Sequence, residues 1–175
     1  MDEVKDAADR IVVQVNKNAP YVHGIRNMIH VSEIDRITEA DRPIIEVPDE
    51  DFDEDTKSIA TFIVDQIPDG ATIQTGLGGL SSAIGHGLRN KCDLGIHSEM
   101  FSNAMKELME AGVINNKKKT FLSGRSVAAF ALGNRDIYDY INNNPAMFFA
   151  PFSFVNNPRI IAQNENMIRK EGQML

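Results

Sequence analysis

Disulfides, long apolar runs and clustered basic charge are all missing from this chain. The single cysteine among its 175 residues, Cys92, excludes an intrachain disulfide framework and fits a reducing compartment. No apolar run reaches roughly 18 residues, and the opening MDEVKDAADR has no apolar stretch behind a basic start. No membrane partner is therefore expected, and the cytoplasm is the expected compartment. With 18 Lys and Arg against 25 Asp and Glu, the formal net charge is −7. Nucleic acid, which wants a basic stripe, is not an expected partner either. His23, His30, His86 and His97 show no paired metal-ligand spacing, so no metal site is expected. Ser81, Ser82, Ser98 and Ser123 lack a G-x-S-x-G elbow, which leaves a serine hydrolase triad unsupported.

What is present is enough apolar residue, 42%, to bury one core, and a pattern that becomes ordered along the chain. Val4, Ala7, Ala8, Ile11, Val12 and Val15 recur at helical spacing and predict a helix over about 3–16. Residues 21–42 read as a connector, and Ile44 to Val47 as a short strand stopped by Pro48. The run Asp49 to Asp55 is almost wholly acidic and reads as a solvated loop before a helix whose stripe is Ile59, Phe62, Ile63 and Ile67. Pro68-Asp69-Gly70 then marks a turn.

From there strand and helix alternate. Residues 71–75 and 94–97 read as strands, 80–89 and 101–111 as helices. Thr120 to Leu122 and Ser126 to Leu132 read as further strands, and Asp136 to Ile141 as a helix. Met147 to Ala150 and Phe152 to Val155 are short apolar segments. Such alternation predicts an α/β fold with a mostly parallel sheet, whose ligands lie beyond the carboxyl ends of the strands.

Two motifs fall at such ends. Gly76-Leu77-Gly78-Gly79 joins a strand to a helix, where glycines let a ligand approach backbone N–H groups; an anion, an oxyanion or a tight turn would each account for it. As a dinucleotide fingerprint it is G-x-G-x-x-S, with Ser81 in place of the last glycine and Glu99 about 20 residues on. Glu99 itself suits a nucleophile, a base, a ribose-binding acid or an ordinary acid at a helix start. His97 shares its strand face, as orienting group or as structural histidine. Lys117-Lys118-Lys119 reads as a solvated turn within possible reach of a ligand phosphate.

The strings Ala71-Thr72-Ile73-Gln74-Thr75-Gly76-Leu77-Gly78-Gly79-Leu80, Asp93 to Ser102 around His97-Ser98-Glu99-Met100, Glu110 to Ile114 and Pro158 to Asn164 resemble the acetyl-CoA hydrolase/transferase family, especially its 4-hydroxybutyrate CoA-transferases. The likeness runs in order from about Ile11 to Met167. It implies a CoA-transferase-like (NagB/RpiA-like) α/β domain, with residues 1–48 as an N-terminal helix and connector and 49–175 as a partial catalytic domain. It implies transfer of CoA between an acyl-CoA and a small carboxylic acid of the 4-hydroxybutyrate or acetate type. Glu99 matches the residue that forms a glutamyl-CoA thioester, and Gly76, Leu77, Gly78, Gly79 and Leu80 match the CoA-facing oxyanion loop. CoA is then a substrate, with no permanently bound cofactor.

The chain departs from the family's pattern at Ser81, where proline is usual, and at Asn103 and Asn157, where aspartate is usual. It also matches only a middle portion of the family's length. Acetyl-CoA hydrolysis and silent CoA binding are therefore the competing expectations. A second copy or a complementing chain is an expected partner, because walls of the pocket would otherwise be absent.

Overall fold

The computed structural model describes residues 2–76 and 78–169, so Leu77 and the last residues of the chain lie outside the description. The elements in order are α1 (Asp2–Ala7), β1 (Val12–Asn16), β2 (Arg36–Ala40), α2 (Glu54–Asp65), β3 (Thr72–Gln74), α3 (Gly79–Gly87), β4 (Gly95–Ile96), β5 (Met100–Phe101), α4 (Asn103–Glu110), β6 (Ser126–Ala128), β7 (Phe130–Ala131), α5 (Arg135–Ile141), β8 (Met147–Phe149), α6 (Phe152–Val155), α7 (Pro158–Ile161) and β9 (Met167–Arg169). Every strand pairing is parallel. Strand β3 lies between β9 and β4; single bridges, His97 to Val127 and Gly24 to Phe149, extend the layer through β6 and β8 to the connector. The expected α/β layer is present.

Its two faces differ in chemistry. Ile73 and Ile96 point into an apolar core with Ala60, Val64, Ala83, Ile84, Leu88, Met105 and Leu108 from α2, α3 and α4. Thr72, Gln74 and His97 alternate onto the opposite face, where Lys119 and Asn164 are buried as well. A polar inner layer must satisfy its hydrogen bonds internally, and most of this one does so with side chains, Thr72 Oγ1 and Gln74 Oε1 being the exceptions among the described residues. Ahead of the His97–Val127 bridge, Asn116 Oδ1 accepts from the Ile96 N–H at 2.9 Å, and Asn116 Nδ2 donates to Ser126 Oγ at 3.0 Å. Lys119 Nζ donates to Ile96 O at 2.7 Å and to Arg125 O at 2.6 Å. These two side chains take the place of ladder bonds between β4 and β6.

Several sequence expectations are corrected. The helix predicted over 3–16 stops at Ala7, and Val12 to Asn16 form a strand on β2. The β-branched run Ile11-Val12-Val13 prefers an extended backbone, and β2 supplies the partner that local spacing could not reveal. Ile44 to Val47 is not a strand; the Val47 N–H donates to Gly133 O and Tyr138 donates to Ile45 O, tying this stretch to α5 and the turn before it. In α2 the buried residues are Ala60 and Val64, while Ile59 and Phe62 are 50% and 75% exposed. Thr120 to Leu122 forms bends, Ser126 to Leu132 is interrupted at Ala129, and Phe152 to Val155 is a short helix. The lysine run is not wholly solvated, since Lys119 is buried.

The connector is bound to the sheet edge by Ile25 N–H to Phe149 O at 3.0 Å and Phe149 N–H to His23 O at 2.8 Å. A Cβ on Gly24 would lie 1.8 Å from the Phe149 carbonyl oxygen, a backbone atom that cannot rotate away. Gly24→Ala is expected to cost about 1–3 kcal/mol or more in denaturant unfolding, by forcing the connector off the sheet. An unchanged unfolding midpoint would show that this edge contributes nothing.

Candidate functional site

The register of the sheet sets Ser98, the residue before Glu99, against Thr75, the residue before Gly76. Thr72 pairs with Gly95 and Ile73 with Ile96. The ladder continues through a side chain: Ser98 Oγ accepts from the Thr75 N–H at 3.3 Å and donates to Thr75 O at 2.9 Å. Glu99 follows Ser98, in the bend between β4 and β5. On its other side the Glu99 carbonyl accepts from both Ala129 and Phe130 N–H, which holds the strand where it bends between β4 and β5. The partly exposed carboxylate accepts from Asn156 Nδ2 at 2.6 Å, a short charge-assisted bond.

His97 does not reach Glu99 directly. Its Nε2 donates to Val155 O at 2.9 Å, and Nδ1 accepts from Asn164 Nδ2 at 3.3 Å. This fixes the Nε2–H tautomer, and burial, with the Lys119 charge nearby, holds the ring's pKa below its usual value against the raising effect of the Val155 bond. A neutral ring anchors the end of α6, and the next residue, Asn156, holds Glu99. His97 is thus a structural histidine that acts through the backbone.

The loop leads into α3, whose cap is Gly78 at φ +101°, a conformation that favours glycine. Gly76, Gly78, Gly79 and Leu80 lie at the turn and first helical residues as expected, whereas Leu77 is outside the described residues. The acidic run contacts this turn. Glu50 Oε2 accepts from the Gly79 N–H at 3.1 Å, Asp49 accepts from Asn103 Nδ2 at 3.0 Å, and Asp53 caps α2 through the Thr56 N–H at 2.8 Å. A cleft of about 60 Å³ remains between Glu50, Gly76, Gly78, Ser81 and Ser102. A larger hollow of about 470 Å³ lies behind β7, lined by residues including Val22, Phe130, Tyr138, Phe149 and Phe152. Among the described residues no group of acids, histidines and cysteine is placed to hold a metal ion, and no helix is long and apolar enough to cross a membrane.

Sequence reasoning missed Asn156, Ser98 and Lys119. None sits at a spacing that marks it, because each acts across the sheet on a residue 23 to 57 positions away.

The fold and several strings have close counterparts. Residues 133–171 match the acetyl-CoA hydrolase/transferase C-terminal domain. The chain is 43% identical over 163 residues to the 4-hydroxybutyrate coenzyme A transferase of Clostridium kluyveri, covering 93% of this chain and 38% of that protein. The chain belongs to the acetyl-CoA hydrolase/transferase family. Another member, the succinyl-CoA:cyclohexane-1-carboxylate CoA transferase of Geobacter metallireducens, is 38% identical over 96% of this chain and 38% of its own length. In three dimensions the chain superposes on RipA from Yersinia pestis with TM-score 0.88 at 40% identity, covering 95% of this chain and 39% of that one. It superposes on a 4-hydroxybutyrate CoA-transferase from Porphyromonas gingivalis with TM-score 0.89 at 36% identity, covering 96% and 43%. The fold is that of CoA-transferases, and the chain spans about two fifths of the length of these relatives.

Within this family the three departures have local roles in the structure. Asn157 caps α7 by accepting from the Arg159 N–H at 2.9 Å, which an aspartate would do as well. Asn103 is 4% exposed; it donates to Asp49 and accepts from the Asn134 N–H at 3.1 Å, whereas an aspartate there would set two carboxylates against each other. The Ser81 N–H donates to Gly78 O at 3.0 Å, a bond that proline cannot make.

Proposed function

We propose that this chain carries the nucleophile and oxyanion loop of a CoA-transferase acting between an acyl-CoA and a small carboxylic acid. The observation that supports this reading is the pair of hydrogen bonds between Ser98, next to Glu99, and Thr75, next to Gly76, together with the Asn156 bond to the Glu99 carboxylate. A Glu99 oxygen attacks the thioester carbonyl; backbone N–H groups at the start of the loop stabilise the oxyanion, and the C–S bond breaks to release CoA thiolate and leave a mixed anhydride. The thiolate then attacks the glutamyl carbonyl, freeing the first acid and giving a glutamyl-CoA thioester. An acceptor carboxylate reverses the sequence. The thioester's energy is kept in a covalent bond throughout. The names of the relatives support this class and suggest acyl groups of the 4-hydroxybutyrate, butyrate or acetate type.

Mixing the chain with acetyl-CoA and an acceptor acid, then measuring intact mass with and without borohydride, tests the reading. A CoA-sized adduct that borohydride converts is the expected result. Binding of CoA without any adduct would instead assign a silent CoA-binding module, and turnover to free CoA and acetate would assign a hydrolase. Asn156→Ala is expected to slow adduct formation roughly tenfold to hundredfold while CoA affinity holds, since a hydrogen bond to a charged group is worth about 1.5–3 kcal/mol. Val12, Val15 and Ile37 on the small β1–β2 sheet are at least half exposed, which supports a second copy or a complementing chain as partner. A clean monomer by light scattering at high concentration would argue against self-association.

A further inference from the structure

We propose that Ser98 is a positioning residue for Glu99, a role that rests on the transferase reading above. Its hydroxyl intercepts the two backbone hydrogen bonds that would carry the β3–β4 pairing on to Glu99, and so keeps the bend from which the carboxylate reaches Asn156.

The pairing follows a definite alternation. Gly95 N–H donates to Ala71 O at 2.9 Å and His97 N–H to Ile73 O at 3.1 Å, so every second residue of this strand bonds to β3. In a parallel pair the next two bonds are then Thr75 N–H to His97 O and Glu99 N–H to Thr75 O. Neither is present among the described residues. The Thr75 N–H donates instead to Ser98 Oγ at 3.3 Å, and the hydroxyl donates to Thr75 O at 2.9 Å. Among the described residues the Glu99 N–H is left without an acceptor.

Ser98 sits where the chain changes neighbour. Before it β4 pairs with β3, and after it β5 pairs with β7. The Ser98 N–H donates to Val127 O at 3.0 Å, and the Glu99 carbonyl takes both the Ala129 and Phe130 N–H, so the β6–β7 side holds the chain through its backbone. On the β3 side one hydroxyl, fully buried, spans the gap. Without it the Thr75 N–H and carbonyl, in a partly buried place, are left to the partners that the ladder prescribes, His97 O and the Glu99 N–H. Glu99 is then drawn towards β3 and away from Asn156.

Native-state hydrogen exchange and covalent trapping test this. In the wild type the Glu99 amide is expected to exchange at least about tenfold faster than those of His97 and Ser98, which donate to backbone carbonyls. In Ser98→Ala the Glu99 amide becomes protected and adduct formation from acetyl-CoA slows about a hundredfold, the scale of a misplacement of about 1 Å, while acetyl-CoA affinity holds. Ser98→Thr keeps the hydroxyl and restores both readouts. A wild-type Glu99 amide as protected as that of His97 would mean that the backbone ladder is intact, and would overturn the proposal with no variant needed. So would a Ser98→Ala chain that forms the adduct at the wild-type rate, or one that melts lower with its Glu99 amide still fast, since the hydroxyl would then only pack. Absence of any adduct in the wild type would fail the transferase reading, whereas the exchange comparison judges the ladder separately.

Discussion

Glu99→Gln abolishes the covalent CoA adduct and slows any acyl transfer by at least about a thousandfold, the scale seen when an enzyme loses its nucleophile. Glutamine keeps the size of the side chain and an oxygen for Asn156 to donate to, so the 2.6 Å contact and the packing of α6 survive. What is lost is the anionic oxygen that attacks. CoA affinity is therefore expected to remain near the wild-type value, and the melting temperature with it. Intact mass after mixing with acetyl-CoA and titration calorimetry with CoA check the two halves. An adduct that persists in Glu99→Gln would move the chemistry to another residue.

Lys119 carries the second large effect, on stability. Its ammonium is held by two carbonyls and, among the described residues, by no carboxylate, and burial pushes its pKa from 10.5 down to about 7. Below pH 7 the lysine is charged in both folded and unfolded chains, and the cost of burying the charge is present in full. Between pH 7 and 10.5 the folded lysine is neutral while the unfolded one still binds a proton. Stability thus rises with pH through that window, by up to roughly 4–5 kcal/mol in total. Lys119→Met removes this rise, although it also leaves Ile96 O and Arg125 O without their donor. Denaturant unfolding of both chains at pH 7, 8.5 and 10 isolates the lysine, because other groups cancel in the difference. Parallel pH dependence in the two would refute the assignment. The same substitution loosens the side-chain bonds that join β4 to β6, so hydrogen exchange at Ile96 and His97 is expected to quicken.

The glycine loop and Glu99 were legible in the sequence because each is a local event. A strand that ends in glycines and enters a helix needs a turn that few other residues permit, and Gly78 at φ +101° is that turn. The alternation of strand and helix from Ala71 onward likewise follows from short-range apolar spacing, and every pairing there proved parallel. Where the spacing was ambiguous, as over Val12 to Asn16, a helix pattern and a strand run coincided, and the decision came from a partner 24 residues away.

Tertiary structure alone decided the rest. It tied Ser98, the neighbour of Glu99, to Thr75, the neighbour of Gly76, chose Asn156 to hold the carboxylate, and turned His97 into an anchor for α6. It also buried Lys119, which the local pattern of three lysines assigned to solvent. The physical reason is the same in each case: backbone preference is settled within a few residues, but a hydrogen-bond partner in a polar sheet face is chosen across strands, where sequence distance carries no information.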